Sequence, residues 1–338
     1  MSAQRISPHC GGLPQRSKSA FPASARASEL RRPGGLLRLT PWLAPFLRRL
    51  ARAPRDERAA LQRHGVDVVP LDCYSGIPSV AEIEGSFEYR EGEPPYLDPA
   101  VLQPDVLRTT LYQLQPFAAE FAPPLEGDPA SGTFFWQNGM FSFSDAMAYY
   151  CFLRWKKPAA VVEIGSGFST LVALEALAQN GSGTLHCFEP FPRAFLRDDP
   201  RIRLHEMPAQ EIRLELVEGI LGDGDVLFVD STHTVKAGSD CLHIYLRLLP
   251  RLRRHLYVHA HDIFLPYGMP KDWLLDRQYH WTEQYLLLAL LTDNPKATVL
   301  FGSVWNGERL TDPMQYLMGG KFPYGGSSLW FEYRNGVP

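Results

Sequence analysis

Three short stretches hold residues whose types and spacing could do chemistry. In VVEIGSGFST, Val161 to Thr170, a carboxylate, Glu163, sits among branched apolar residues and is followed at once by Gly165, Ser166 and Gly167. FVDSTH ends in Asp230 and His233, and HAHDIF carries His261 and Asp262. Glycines in such a turn let backbone N–H groups approach a ligand closely, and an acid beside them repels phosphate and suits a cation. An imidazole with a pKa near ~6.5 can accept the proton of a hydroxyl. The chemistry on offer is the binding of a positively charged small molecule beside a proton-transfer centre.

Strand ends must position these residues. The apolar runs AAVVEI, TLHCFE, RIRLHE, VLFVD, LYVHAHD, ATVLFGS and SSLWFEY are short. They alternate with helix-like segments over 142–155, 170–179, 239–249 and 281–291. Strands separated by helices predict a parallel sheet with right-handed crossovers. No helix is evident between the last two runs, which predicts an antiparallel hairpin at the sheet edge. The expected fold is α/β and Rossmann-like, and its ligands bind beyond the carboxyl ends of the strands where strand order reverses. With strands four and five as neighbours about 4.8 Å apart, Asp230 and His233 converge with His261 and Asp262.

A dinucleotide fingerprint needs a third glycine where Thr170 stands, and Glu163 in the turn disfavours a diphosphate. S-adenosylmethionine carries an ammonium and a sulfonium but no phosphate, so the acid becomes an asset. Glu163, Gly165, Ser166 and Gly167, with Asp230, are the expected cofactor contacts. Glu189, at the end of TLHCFE, can accept both ribose hydroxyl hydrogens. The plainer alternative, two glycines making only a tight strand–helix turn, stays open. So does a His233 that only hydrogen-bonds the strand end, and His259 is expected to pack within the sheet.

The 338 residues, 45% hydrophobic and 12% aromatic, suffice for one large α/β domain with a cap. No apolar run reaches the ~18 residues of a membrane span. The five cysteines form no C-x-x-C pair, which points to a reducing compartment. Residues 1–55 hold eleven Lys or Arg against one acid, a charge of +10, so the net charge of −3 leaves −13 on the remainder. An acidic body argues against nucleic acid as a partner.

The expected organisation is a disordered basic arm over 1–55 with a short amphipathic helix, a cap over 56–130 and the main domain over 131–338. From Leu36 to Ala53, Leu39, Trp42, Leu43, Phe46, Leu47 and Leu50 share one helical face opposite Arg38, Arg48, Arg49 and Arg52. Pro41 and Pro45 are expected to limit that helix to two turns beyond Pro45. It could lie on an anionic membrane surface, dock on the domain, or belong to a transit peptide.

VVEIGSGFST, FVDSTHT and VHAHDIFLPYGMPKDW, in that order, resemble a bacterial group of class I S-adenosylmethionine-dependent methyltransferases. The resemblance runs from HGVDVVP and YSGIPS to the C-terminus, about residues 64–338, and leaves the basic arm aside. It implies a seven-strand sheet with an antiparallel final pair. Its macrolide-sugar O-methyltransferase and cephalosporin-hydroxylase-type relatives hold a divalent metal with an acid after strand four and an acidic pair after strand five. That implies metal ligation by Asp230, His261 and Asp262. A histidine in the pair departs from the pattern, and either moves the metal from Mg²⁺ toward Mn, Fe or Zn or abolishes the site.

The reading that follows is O-methylation of a hydroxyl on a small molecule or glycan, with His233 as general base beside Asp230. Tyr74, Trp136, Asn138, Tyr267, Lys271, Trp273 and Trp281 are candidates for acceptor contact or for cap packing. A non-catalytic S-adenosylmethionine-binding scaffold and an NAD(P)-dependent oxidoreductase are the alternatives. The expected location is the cytoplasm, with peripheral contact at the inner membrane face.

Overall fold

The computed structural model describes residues 36–336, with side chains from residue 41 onward. The expected disorder of the first 35 residues lies outside these. The described residues fall into two compact units, divided between Pro70 and Leu71.

In the first unit a helix spans Leu36–Leu50 and runs through both Pro41 and Pro45. This corrects the two-turn expectation. The prolines are four residues apart, so the two missing N–H groups fall on one side of the helix and the remaining ladder continues. Trp42 is 83% exposed and Phe46 58%. Arg55–Gln62 forms a second helix with no buried residue. Among the described residues no helix is long and apolar enough to cross a membrane.

The second unit is built on a seven-strand sheet. The strands are β1 (Ala160–Ile164), β2 (Thr184–Phe188), β3 (Ile202–His205), β4 (Asp225–Val229), β5 (His255–Ala260), β6 (Ala297–Gly302) and β7 (Leu329–Arg334). Their order is β3-β2-β1-β4-β5-β7-β6. β1 to β5 pair in parallel, and β7 runs antiparallel to both β5 and β6. β1 and β4 are buried along their whole length. Helices cover both faces of a parallel sheet, which is why these strands read as unbroken apolar runs.

Two expectations change. The antiparallel final pair is present, but the connection is not a bare hairpin: helices Ser303–Arg309 and Thr311–Met318 lie between β6 and β7. The stretch 56–130 is also not a separate cap throughout. Its helix Pro104–Ala118 buries Leu107, Leu111 and Leu114 completely. It packs on helix Phe143–Lys156 and on β6, inside the main core.

Strand order reverses between β1 and β4. There the carboxyl ends are laced together by backbone: Gly165 N–H donates to Phe188 O, Asp230 N–H to Ile164 O and His261 N–H to Val229 O, each at 2.9 Å. The residues singled out by sequence emerge from this laced edge.

Candidate active site

The glycine turn is shaped as much by its neighbours as by any ligand. Gly165 has φ +86°, and a Cβ on it would lie 1.8 Å from the carbonyl oxygen of Asp230. Its bare backbone is therefore required by the packing of the β1 turn on the β4 turn, not by a ligand. Gly167 differs. It is extended, at φ −177°, and the nearest atom to an added Cβ is Arg193 Nε at 4.0 Å. Space stands open above Gly167, where helix Phe168–Asn180 begins.

Glu163 does not face that space. Its carboxyl is fully buried, accepting from Tyr149 Oη at 2.9 Å and Thr170 Oγ1 at 2.5 Å. Thr170 Oγ1 in turn accepts from Gly167 N–H at 3.1 Å. The expected direct contact between Glu163 and a cationic cofactor is thus replaced by a relay that holds the glycine turn from beneath. Burial pushes the Glu163 carboxyl up to about 7, the hydroxyl donors opposing it in part. Glu189 does sit at the end of β2. Its Oε2 accepts from Ser166 N–H at 3.2 Å and its Oε1 from Phe191 N–H at 2.8 Å, which leaves lone pairs on both oxygens for further donors.

The second cluster converges as the topology requires. His233 Nε2 is 3.2 Å from Asp230 Oδ1 and 3.6 Å from Asp262 Oδ2. His261 Nδ1 is 3.6 Å from Asp230 Oδ1 and 3.7 Å from Asp262 Oδ2. Each imidazole is held from behind by a buried acid: His233 Nδ1 is 2.7 Å from Glu283 Oε2, and His261 Nε2 is 3.3 Å from Asp145 Oδ2. Asp145 is further fixed by Ser303 Oγ and by the N–H groups of Ser327 and Ser328. His233 and Asp262 both adopt left-handed backbone, at φ 59° and 56°, a strain that collects at functional sites.

Electrostatics follow from this crowding. Burial alone lowers the His233 pKa, but the carboxylates of Asp230 and Glu283 outweigh it and push it up to about 10. Burial likewise disfavours a charged His261, and Asp262, Asp230 and Asp145 raise it well above the ordinary range. Asp230 is held well below the usual carboxylate range by the two imidazoles, against the upward push of burial. The same carboxylates favour the protonated form of the His233 imidazole.

Two of the expected acceptor contacts are structural. Trp136 is buried and stacks on Phe322, and Asn138 ties together the backbone of Phe135, Met140 and Phe141. Tyr74 is exposed, and Tyr267 donates to Glu308. Trp281 lies 4.4 Å centroid to centroid from His233 and in an edge contact with Trp273. It also lines a cleft of ≈ 480 Å³ with Phe87, Glu88, Tyr89, Tyr96 and Tyr285. Lys271 Nζ lies 5.4 Å from the Tyr89 ring centre. His259 packs in the sheet, bonded to Ser328 Oγ at 2.6 Å and stacked on Trp330.

Sequence reasoning missed Asp145, Glu283 and Tyr149. A usable signal was present in FSDAMAYYCFLRW and WTEQYLLLALL, where single acids interrupt apolar helices. An acid so placed is buried and needs a partner.

Residues 162–263, which carry both clusters, match the family model of a methyltransferase domain. An uncharacterized protein of Archaeoglobus fulgidus is 34% identical over 87 residues, 24% of this chain and 39% of that one. The match thus spans about two fifths of that relative. Among solved structures, the chain is similar to an O-methyltransferase of Bacillus cereus in complex with SAH, at 13% identity, 67% of this chain, 90% of that chain and a TM-score of 0.35. It is also similar to the O-methyltransferase TomG of Streptomyces achromogenes in complex with SAM, at 14% identity, 67% and 90% coverage and a TM-score of 0.36. Residues 162–263 thus match a methyltransferase domain, and they lie on a sheet ordered β3-β2-β1-β4-β5-β7-β6 with β7 antiparallel.

Proposed function

We propose that the protein transfers the methyl group of S-adenosylmethionine to a hydroxyl of a small molecule or glycan. The observation that carries this reading is the open approach above Gly167, flanked by Glu189 and adjoining Asp230 through the packing of Gly165. The lone pairs left on Glu189 suit the ribose hydroxyls. The sulfonium is already a good electrophile, so the protein's task is to hold the acceptor oxygen in line with the methyl at roughly 3–3.5 Å. The C–S bond breaks as the O–C bond forms, sulfur keeps the electron pair, and the hydroxyl proton leaves to water. Water reaches the cluster at Asp230, whose side chain is 32% exposed. The aromatic cleft beyond Trp281 suits a flat or sugar-like acceptor.

Asp230, His261 and Asp262 are the residues that would hold a divalent cation. Their fit is supported by His261 Nδ1, a buried nitrogen with no hydrogen-bond partner. When bound, such an ion acidifies a nearby hydroxyl. For helix Leu36–Leu50 we propose contact with anionic membrane, supported by its exposed Trp42 and Phe46 and by Arg48 and Arg49. Deleting residues 1–53 should lower sedimentation with anionic vesicles and leave cofactor affinity intact; equal sedimentation of both proteins overturns that contact.

Calorimetry with S-adenosylmethionine and with NAD tests the main reading, with binding expected for the first alone. Mass spectrometry of extracts incubated with labelled cofactor then identifies the methylated acceptor. Loss of turnover in His233→Ala with unchanged cofactor affinity separates an enzyme from a binding scaffold. Binding of NAD in place of S-adenosylmethionine sinks the proposal.

A further inference from the structure

We propose that His233 is a metal ligand, and that His233 Nε2, Asp230 Oδ1, His261 Nδ1 and Asp262 Oδ2 form one coordination ring for a nitrogen-preferring transition ion rather than Mg²⁺. In this ring Glu283 and Asp145 are positioning residues. The inference deepens the reading of the same site and is tested apart from it.

The donors alternate, nitrogen and oxygen, around a closed circuit of 3.2, 3.6, 3.7 and 3.6 Å. Three of the four contacts exceed hydrogen-bond distance. With the two imidazoles on opposite corners, such edges put the donors about 2.5 Å from a common centre, so an inward shift of a few tenths of an ångström reaches the ~2.0–2.2 Å of metal–nitrogen and metal–oxygen bonds. Asp230, His233 and Asp262 present ligand atoms within 4.8 Å of one another, a group that does not include His261. Unlike those three, His261 Nδ1 is buried with no hydrogen-bond partner while pointing at both carboxylates. A nitrogen so enclosed is costly unless something sits in front of it.

The outer contacts repeat the arrangement that holds ligating histidines elsewhere, in which the far ring nitrogen meets a carboxylate that fixes ring orientation and basicity. Here both rings have one. Glu283 is 1% exposed and Asp145 3%, and Tyr245 Oη donates to the other oxygen of Glu283 at 2.6 Å. Ser327 Oγ donates to Asp262 Oδ1 at 2.8 Å, which turns Oδ2 toward the ring. Two imidazoles with two carboxylates form a donor set for Zn²⁺, Mn²⁺, Fe²⁺ or Co²⁺, whereas Mg²⁺ prefers oxygen throughout.

The test uses the full chain, treated with chelator and then titrated with Co²⁺ or Mg²⁺, with elemental analysis for stoichiometry. One Co²⁺ per chain is expected, at least 100-fold tighter than Mg²⁺, with the visible absorption of Co²⁺ bound to nitrogen. His233→Gln should weaken Co²⁺ at least 10-fold, and Glu283→Gln and Asp145→Asn about 10–100-fold. Should a variant fail to fold, the Co²⁺ against Mg²⁺ comparison on the unaltered protein still decides. Tighter Mg²⁺, no bound ion, or Co²⁺ affinity unchanged in folded His233→Gln overturns the ring. S-adenosylmethionine calorimetry on the same samples keeps the two proposals apart: cofactor binding without metal sinks only the ring, and metal without cofactor sinks only methyl transfer.

Discussion

His233 Nδ1 stands 2.7 Å from Oε2 of Glu283, a residue fifty positions later in the chain, and both side chains are buried. The pair pins the imidazole so that Nε2 faces Asp230 and Asp262. Glu283→Ala removes the acceptor for both His233 and Tyr245 and should cost about 3–5 kcal/mol, since it strands buried polar groups. Glu283→Gln keeps an acceptor oxygen and should cost about 1 kcal/mol. Urea unfolding of the two variants checks this, and equal costs would show that the pair is not what holds the ring.

The two glycines of the turn should respond oppositely. Gly165→Ala puts a Cβ against Asp230 O at a positive φ, so it should lower the melting temperature sharply or prevent folding. Gly167→Ala meets no protein atom closer than 4.0 Å and should fold normally while losing S-adenosylmethionine affinity. Normal affinity in folded Gly167→Ala would mean that the space above it serves something else.

The buried Glu163 makes stability depend on pH. Its carboxyl is raised from the ordinary 4.5 to about 7 by burial, so its contribution is fully present below pH 4.5 and is lost as pH rises through 7. The loss is on the order of 3 kcal/mol. Glu163→Gln, which cannot ionise, should flatten that part of the stability–pH curve. Parallel curves for the two proteins between pH 4.5 and 7 would refute the assignment.

Glu189 is expected to carry the cofactor's ribose. Glu189→Ala should weaken S-adenosylmethionine about 10-fold or more, as loss of hydrogen bonds to a charged acceptor costs ~1.5–3 kcal/mol. Thr170→Val, which cuts the link between Glu163 and Gly167 N–H, should weaken it less, through the turn alone. A larger effect from Thr170→Val in calorimetry would reverse the two roles.

The strands, their order of occurrence and the places where Asp230, His233, His261 and Asp262 leave them were legible in the sequence, because period and composition are local properties of a buried parallel strand. The resemblance of VVEIGSGFST and its companions likewise identified the methyltransferase domain. The helices between β6 and β7 escaped notice because MQYLMGG and its flanks mix glycine and polar residues with a short apolar face. What side chains face was not legible. Whether Glu163 looks toward a ligand or toward Tyr149 and Thr170 depends on which helix covers that side of β1, and Gly165 answers to a carbonyl sixty-five residues away. The acids behind the two histidines, Glu283 and Asp145, come from helices distant in sequence, and only folding brings their charges together. Sequence determined which groups reach the sheet edge, since that depends on neighbours along the chain. Tertiary structure decided which of them are shielded, paired or open, since electrostatics and packing act through space.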